Sequence, residues 1–160
     1  MAMIINCNND YNSVKDIERA VNYILGKEFF IGGGKSGCLY LTPKDVANSF
    51  ALTQKQFNKE SGKRMFLIIL GFGKDELYNK NIIFELASEM SAYIGQLFQN
   101  MYGIHSGSYN NGEYEHVHFV INSVSFYNGS RFACTYDFFQ NMIFNFLRAY
   151  DVRIDWRIVY

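Results

Sequence analysis

The pattern of hydrophobic and polar residues predicts that helices and short strands alternate in the first half of the chain. A first helix is predicted between Ser13, a candidate N-cap, and Gly26. Its hydrophobic residues recur at helical spacing: Val14, Ile17, Val21, Ile24 and Leu25. A second helix is predicted to begin at Thr42-Pro43, because proline is tolerated at the first helical position. Apolar runs predict strands at Met3–Asn6, Cys38–Leu41 and Met65–Leu70, with a flexible break at Gly32-Gly33-Gly34.

The second half of the chain combines two long helical patterns with hairpin signals. The helices are predicted at Asn81–Tyr102, ending before Gly103, and at Tyr136–Tyr150. Strands are predicted at Ile104–Ser108, Tyr114–Val124 and Val152–Ile158, with turns at Asn110-Asn111-Gly112 and Asn128-Gly129. This order favours an α+β fold, in which helices pack on a face of a mostly antiparallel sheet of about five strands. We expect one domain over residues 1–160.

Composition narrows the class of protein. Hydrophobic residues make up 49% of the 160 residues and aromatic residues 18%, which indicates a globular fold with a sizeable core. The first ten residues do not resemble a signal peptide, no apolar run is long enough to span a membrane, and the three cysteines lie far apart. We therefore expect a cytoplasmic protein without a membrane partner. The net charge is zero, but residues 1–64 carry an excess of positive charge and could present a basic face.

The three histidines of the chain, His105, His116 and His118, lie within fourteen residues of one another. Because side chains alternate along a strand, His116 and His118 share one face, together with Asn122. A two-residue turn centred on Asn111-Gly112 would pair His105 with His118, and one centred on Asn110-Asn111 would pair it with His116. Either register brings the three imidazoles together, with directly opposed Cβ atoms about 5 Å apart.

Three neutral imidazoles on a rigid surface are typical of a divalent-metal site that keeps open positions for substrate. Such an ion can polarise a phosphoryl oxygen and stabilise charge in a transition state. Mn²⁺ and Mg²⁺ are the first candidates, and Zn²⁺, Ni²⁺ and Co²⁺ also suit three histidines. The competing interpretation is a set of hydrogen-bonded surface histidines that bind no metal.

The segment Glu115–Phe132, with the sequence EHVHFVINSVSFYNGSRF, resembles the core motif of mobilisation relaxases. Its two histidines around one hydrophobic residue are similar to the signature of HUH endonucleases, and the segment resembles a MobA/VirD-like relaxase domain. Relaxases have their nucleophilic tyrosine before the histidines, and Ile17–Glu28 resembles that first motif. The resemblance implies a ferredoxin-like palm architecture and identifies Tyr23 as the nucleophile. Independently, about 100° per residue places Tyr23 opposite the apolar stripe of its helix.

The resemblance implies site- and strand-specific nicking and transfer of single-stranded DNA through a 5′-phosphotyrosine intermediate. The partner would be DNA at an origin-of-transfer-like site of a plasmid, integrative element or transposon, together with other relaxosome proteins. Alternatives are a non-catalytic DNA-binding relaxase-like module, a replication initiator that uses Tyr150, and a metal-dependent hydrolase that uses water. The Gly32–Ser36 segment lacks the glycine spacing of a phosphate-binding loop, which argues against nucleotide hydrolysis.

Several further residues are candidates for supporting roles. Relaxases often carry an aspartate two residues after the first histidine, and this chain has Gly107 there. Asn122 and Glu113 are therefore the candidate partners of the metal-binding histidines. Basic residues are candidate DNA contacts: Arg19, Lys27, Lys35, Arg64 and Arg131. Arg19, Lys27 or the metal could activate the tyrosine, and the sequence does not choose among them.

Overall fold

The computed structural model of the chain shows an α+β fold built on one central sheet. It describes residues 3–7, 9–26, 28, 30–39, 41–72, 80–106, 115–135, 137–142 and 158–159. The strands are β1 (Met3–Cys7), β2 (Phe30–Ser36), β3 (Met65–Gly71), β4 (Asn100–His105), β5 (His116–Asn122) and β6 (Ile158–Val159). Their order across the sheet is β2-β4-β5-β3-β1-β6.

The predicted fold class is confirmed, with one strand more than expected. The described residues form six strands instead of about five, and all neighbouring strands are antiparallel except the parallel pair β1 and β6. The central strand β5 pairs with β3 on one side and β4 on the other. The histidine-bearing strands therefore lie in the interior of the sheet, where pairing on both sides holds their backbones in place.

The first two helices begin where the sequence predicts them. The first helix, α1, covers Val14–Ile24, and Ser13 forms a capping box with Asp16 at its start. The second helix, α2, covers Pro43–Gln56, and the side chain of its N-cap, Thr42, accepts a hydrogen bond from the Asp45 amide. A third helix, α3, covers Lys80–Ile94, and residues 137–142 form a further helical segment.

The long helix predicted to end at Tyr102 is shorter than expected. It ends at Ile94, and residues 95–97 continue as a turn in which the Gly95 amide still donates to the Ser91 carbonyl. Strand β4 accordingly begins at Asn100 instead of Ile104. Buried hydrophobic residues continue from the helix into the strand, and their spacing is compatible with either a helix or a strand. The sequence pattern therefore does not show where the helix ends.

Two other predictions in the first half were wrong. Gly32-Gly33-Gly34 is not a flexible break but the middle of edge strand β2, and the described residues of Cys38–Leu41 contain no strand. The glycines are required by close approach. A Cβ atom at Gly32 would lie 2.2 Å from the ring of Phe84, and one at Gly34 would lie 2.7 Å from the ring of Tyr102. The aromatic rings thus pack directly against the glycine backbone and fill the space that side chains of the strand would otherwise take.

Helices cover both faces of the sheet, whereas the sequence predicts helices on one face. Strand residues Val117, Phe119 and Ile121 pack in the core that contains α3. On the other face, α1 and α2 form a second core whose buried members include Ile17, Phe50 and Val120. Val120 lies on the same face as His116 and His118, so apolar packing occupies one half of this face and the histidines the other.

The two predicted turns have different outcomes. The turn at Asn128-Gly129 is confirmed: Val124 and Arg131 form an antiparallel bridge around it, and Gly129 has a φ of 71°. Asn110-Asn111-Gly112 lies outside the described residues. The same holds for the predicted helix beyond residue 142 and for most of the predicted final strand, of which Ile158–Val159 is described as β6.

A candidate metal centre and nucleophile

The three histidines meet at one end of the central strands. His105 ends β4 and lies directly across from His116 at the start of β5, which is the second of the two registers considered above. His118 lies two residues further along the same face of β5. Ring centroids of His105 and His116 are each within 5 Å of that of His118, at 4.5 Å and 4.8 Å. One nitrogen from each ring lies within 4.8 Å of the others.

These distances fit a metal site that closes by small side-chain movements. Nitrogens bound tetrahedrally to one ion at about 2.1 Å lie about 3.4 Å apart, so the ring nitrogens would have to approach by up to about 1.4 Å. Rotations about the side-chain torsions supply such a shift without moving the paired strands. The cluster is therefore arranged to receive an ion with little rearrangement.

His118 supplies the strongest evidence that the cluster fits a metal. Its ring is 3% exposed, and within the described residues neither ring nitrogen has a hydrogen-bond partner. Buried polar atoms without partners are rare, because each costs about 1–3 kcal/mol. Burial, with smaller contributions from His116 and His105, lowers the pKa of His118 to about 3. The ring is thus neutral at physiological pH, and its lone pair is available to a cation.

Metal-free protein is expected to lose stability as the pH falls below about 6.5. Above that value His118 is neutral in both the folded and the unfolded chain and contributes no pH dependence. Between 6.5 and the folded-state pKa of about 3, only the unfolded chain takes up the proton. The free energy of unfolding should therefore fall by at most about 1.4 kcal/mol per pH unit across this range.

Urea titrations with EDTA at pH 7, 5.5 and 4.5 measure the effect. His118→Gln should give a flatter profile, and parallel profiles for the two proteins would contradict the assignment.

His105 connects the cluster to the end of α1. Its Nε2 atom lies 2.6 Å from the backbone carbonyl oxygen of Ile24. A carbonyl only accepts hydrogen bonds, so the nitrogen is the donor, and the lone pair of the neutral tautomer is on Nδ1. This carbonyl provides the kind of partner that usually orients a metal-binding histidine. It does so in a chain that has Gly107 where relaxases often have an aspartate.

Tyr23 stands at the open side of the cluster. It lies on α1 next to Ile24, and its ring meets the rings of His105 and His118 edge-on at centroid distances of 5.9 and 5.8 Å. The side chain is 64% exposed, whereas Ile17, Val21 and Ile24 of the same helix are fully buried. The helical pattern thus places Tyr23 away from the apolar stripe, as expected, and the structure brings it to the histidines.

Gly103 allows α1 to approach the sheet at this point. A Cβ atom there would lie 2.3 Å from Ile24 Cγ2 and 3.2 Å from the Ile24 carbonyl oxygen. Gly103 pairs with His118 across β4 and β5, so the contact occurs within the cluster itself. The missing side chain therefore sets the separation between the tyrosine-bearing helix and the histidines.

Gly103→Ala is expected to destabilise the fold by about 1–3 kcal/mol, because a fully buried Ile24 cannot move aside for the new methyl group. The end of α1 should be displaced, which weakens the bond from His105 to the Ile24 carbonyl. Urea unfolding and Mn²⁺ titration of the same samples measure the two effects. Adding Ile24→Leu removes the clashing Cγ2 atom, so the double variant should recover part of both losses. Strictly additive losses would contradict the steric explanation.

Asn122 does not serve as a partner of the histidines, contrary to the prediction. Its amide group is buried, and all four of its hydrogen bonds go elsewhere in the core. Its oxygen accepts from the Gln54 side chain and the Val124 amide, and its nitrogen donates to the Phe50 carbonyl and the Gln99 side chain. Asn122 lies four residues beyond His118 on β5, about 13 Å away. It stabilises the far end of the sheet.

Arg64 is not placed for contact with DNA. The side chain is 7% exposed, and its guanidinium donates a hydrogen bond to the Glu60 carbonyl. Its own carbonyl accepts hydrogen bonds from the Gln54 side chain and the Ser123 amide. Arg64 therefore ties the start of β3 to the core, and its predicted role at a DNA surface is wrong.

Two other basic residues use their side chains for hydrogen bonds within the protein. The ammonium group of Lys35 donates to the Cys38 carbonyl, and the guanidinium of Arg131 donates to the carbonyls of Ser61 and Lys63. Arg131 lies beyond the Asn122 end of β5, away from the histidines. Arg19 is exposed, with a 3.5 Å pairing to Asp16. Lys27, Glu113, Gly107 and Tyr150 lie outside the described residues.

A three-histidine cluster at the end of a mostly antiparallel sheet, with an exposed tyrosine of the first helix beside it, is the arrangement of an HUH endonuclease. A model of the relaxase family, described as the MobA/VirD2-like nuclease domain, matches residues 23–144. The match spans more than two thirds of the chain and contains Tyr23 and all three histidines. The chain belongs to this relaxase family of DNA-nicking nucleases. No curated protein and no solved structure gives a significant match.

Among the described residues, none of the helices combines the length and the apolar character that crossing a membrane requires.

Proposed function

We propose that this protein nicks single-stranded DNA and transfers the cut strand through a covalent bond to Tyr23. The position of the Tyr23 ring against His105 and His118 carries the proposal, because a phosphate bound at the histidines would lie within reach of the tyrosine oxygen. The site specificity would be for an origin-of-transfer-like sequence of a mobile element. Other relaxosome proteins and a cytoplasmic location belong to the same proposal.

The reaction is an exchange of two phosphoester bonds. The Tyr23 oxygen attacks phosphorus and gives up its proton, the bond from phosphorus to the 3′ oxygen breaks, and that oxygen takes up a proton as the 3′-hydroxyl leaves. The 5′-phosphate remains on Tyr23. Because no bond energy is lost to water, a free 3′-hydroxyl can attack the phosphotyrosine and rejoin a strand. This reversibility is what strand transfer requires.

His105, His116 and His118 would hold a divalent ion, which supplies positive charge to a phosphate oxygen as negative charge develops there. Three neutral ligands leave the full charge of the ion at the site. His105 would bind through Nδ1 while its Nε2 atom stays on the Ile24 carbonyl. The same ring would then keep the end of α1, and with it Tyr23, beside the bound phosphate. Mn²⁺ or Mg²⁺ is the proposed ion.

Arg19 would help the tyrosine react. It lies four residues before Tyr23 and therefore on the neighbouring turn of the same exposed helix face. A guanidinium there would attract the negative phosphate that the tyrosine attacks. Lys27 is the other candidate for this role that the sequence offers.

A labelled pool of random single-stranded DNA tests the proposal. The pool is incubated with the protein and Mn²⁺, and the products are run on a denaturing gel. A slowly migrating protein–DNA band that requires the ion and disappears with EDTA is the expected result. DNA binding without such a band would favour the non-catalytic module, and free cleaved DNA without it would favour a hydrolase that uses water.

A further inference from the structure

A groove about 540 Å³ in volume lies between the exposed side of α1 and the start of α2. From α1 it is lined by Lys15, Glu18, Arg19 and Asn22, and from α2 by the residues around its N-cap, including Lys44. It is separate from the histidine cluster, because none of the three histidines lines it.

The groove has an excess of positive charge. Lys15, Arg19 and Lys44 contribute three cations against the single carboxylate of Glu18. All four side chains are exposed. Arg19 lies 3.5 Å from Asp16, and a pairing of exposed groups at this distance is weak. The cations are therefore available to an anionic ligand.

Side-chain charge, not the helix terminus, attracts an anion here. At the start of α2 the Thr42 hydroxyl already accepts from the Asp45 amide, and the Asp45 carboxylate is bonded to the same hydroxyl. Pro43 has no amide hydrogen to offer. The remaining polar group is the Asn22 amide, which can donate to a phosphate or a sugar oxygen.

The groove and the histidines lie on either side of the nucleophile. Arg19 lines the groove one helical turn before Tyr23, and Lys15 lines it one turn further back, so the cations lie about 6 and 12 Å from Tyr23 along the axis of α1. A strand whose phosphate is held at the histidines would continue past Tyr23 into this groove.

We propose that the groove between α1 and α2 binds the sugar–phosphate backbone of the single strand next to the scissile phosphate. The proposal rests on the proposed function, since it assigns a second part of the same DNA path. Lys15, Arg19 and Lys44 neutralise the backbone phosphates, and the bases face solvent or other parts of the protein. The groove recognises the DNA backbone without reading its sequence.

The salt dependence of DNA binding tests this groove without any cleavage. Fluorescence anisotropy with a fluorescein-labelled 20-nucleotide oligothymidine is measured over a series of NaCl concentrations, with EDTA, in the Tyr23→Phe background. Each phosphate contact to a single strand contributes about 0.7 to the slope of log K against log salt. The triple variant Lys15→Ala/Arg19→Ala/Lys44→Ala should therefore lower the slope by about 2 and weaken binding at low salt at least about tenfold.

Two further variants make the result specific to the groove. Lys55→Ala removes an exposed cation at the opposite end of α2 and should leave the slope as it was. Glu18→Gln removes the carboxylate of the groove and should tighten binding. Equal slopes for the triple variant and its parent, or an equal loss with Lys55→Ala, would overturn the proposal.

The outcomes separate this proposal from the nuclease proposal. If the wild-type protein forms the covalent adduct but the slopes are equal, the groove assignment fails and the nuclease assignment stands. If the slopes differ as expected but no adduct forms, the groove stands as a DNA-binding site and the nuclease assignment fails.

Discussion

Replacing Tyr23 by phenylalanine is expected to abolish the covalent protein–DNA adduct. The change removes only the oxygen that is proposed to attack phosphorus and leaves the ring to meet His105 and His118 edge-on. Without a nucleophile at this position, transesterification should fall by at least about a thousandfold. The adduct band on a denaturing gel, quantified over time with Mn²⁺ and single-stranded DNA, measures the loss.

Tyr127→Phe is the matched control. Tyr127 is also an exposed tyrosine, at 75%, but it lies in the turn beyond the far end of β5. Its replacement should leave the adduct unchanged. Tyr23→Phe should still bind metal and DNA, because neither the histidines nor the basic groove is altered. An adduct that survives Tyr23→Phe would assign the nucleophile to another tyrosine, with Tyr150 as the first to test.

His118→Ala is expected to weaken binding of Mn²⁺ by at least about a hundredfold. Loss of a residue that merely orients a ligand already costs about 10–100-fold in affinity, and His118 is proposed to bind the ion directly. Calorimetric titration of the metal measures the change. The adduct should disappear together with metal binding, whereas Tyr23→Phe should lose the adduct and keep the metal.

The folded state of His118→Ala can be judged separately from its metal affinity. The ring of His118 is buried without a hydrogen-bond partner among the described residues, so its removal also relieves an unfavourable burial. Circular dichroism and urea unfolding with EDTA should therefore show a folded protein. Unchanged metal affinity in a folded His118→Ala protein would contradict the metal centre.

The candidate site was largely predictable because its geometry is local. Alternation along β5 places His116 and His118 on one face, and a hairpin register brings His105 opposite them. The helical period likewise separates Tyr23 from the buried stripe of α1. The choice between two registers needed the structure, because a shift of the turn centre by one residue exchanges the partner of His105 between His116 and His118.

Features that depend on distant parts of the chain were missed. The partner of His105 is the backbone carbonyl of Ile24, which no residue type reveals. The sequence pattern predicts a helix stop at Gly103, but the glycine is needed because α1 packs against the sheet there. The basic groove joins residues of α1 to Lys44 on α2, and sequence spacing alone does not show that these surfaces adjoin.

The burial of two polar residues shows that they have structural roles instead of the functional roles that the sequence predicts. The charge of Arg64 and the strand position of Asn122 predict functional roles, yet both residues are buried and bonded within the core. A polar residue in a strand has the same sequence signature whether it faces a ligand or a buried hydrogen-bond network. The second helical layer, which covers half of the histidine-bearing face, decides between these two cases.

Mass spectrometry of the covalent adduct tests the central claim most directly. After digestion of the DNA with nuclease and of the protein with trypsin, cleavage behind Arg19 and Lys27 releases residues 20–27, in which Tyr23 is the single tyrosine. The account predicts a 5′-linked nucleotide on this peptide, formed only when a divalent ion is present. A nucleotide on another peptide, such as residues 149–153 with Tyr150, or cleavage of DNA without any modified tyrosine, would contradict it.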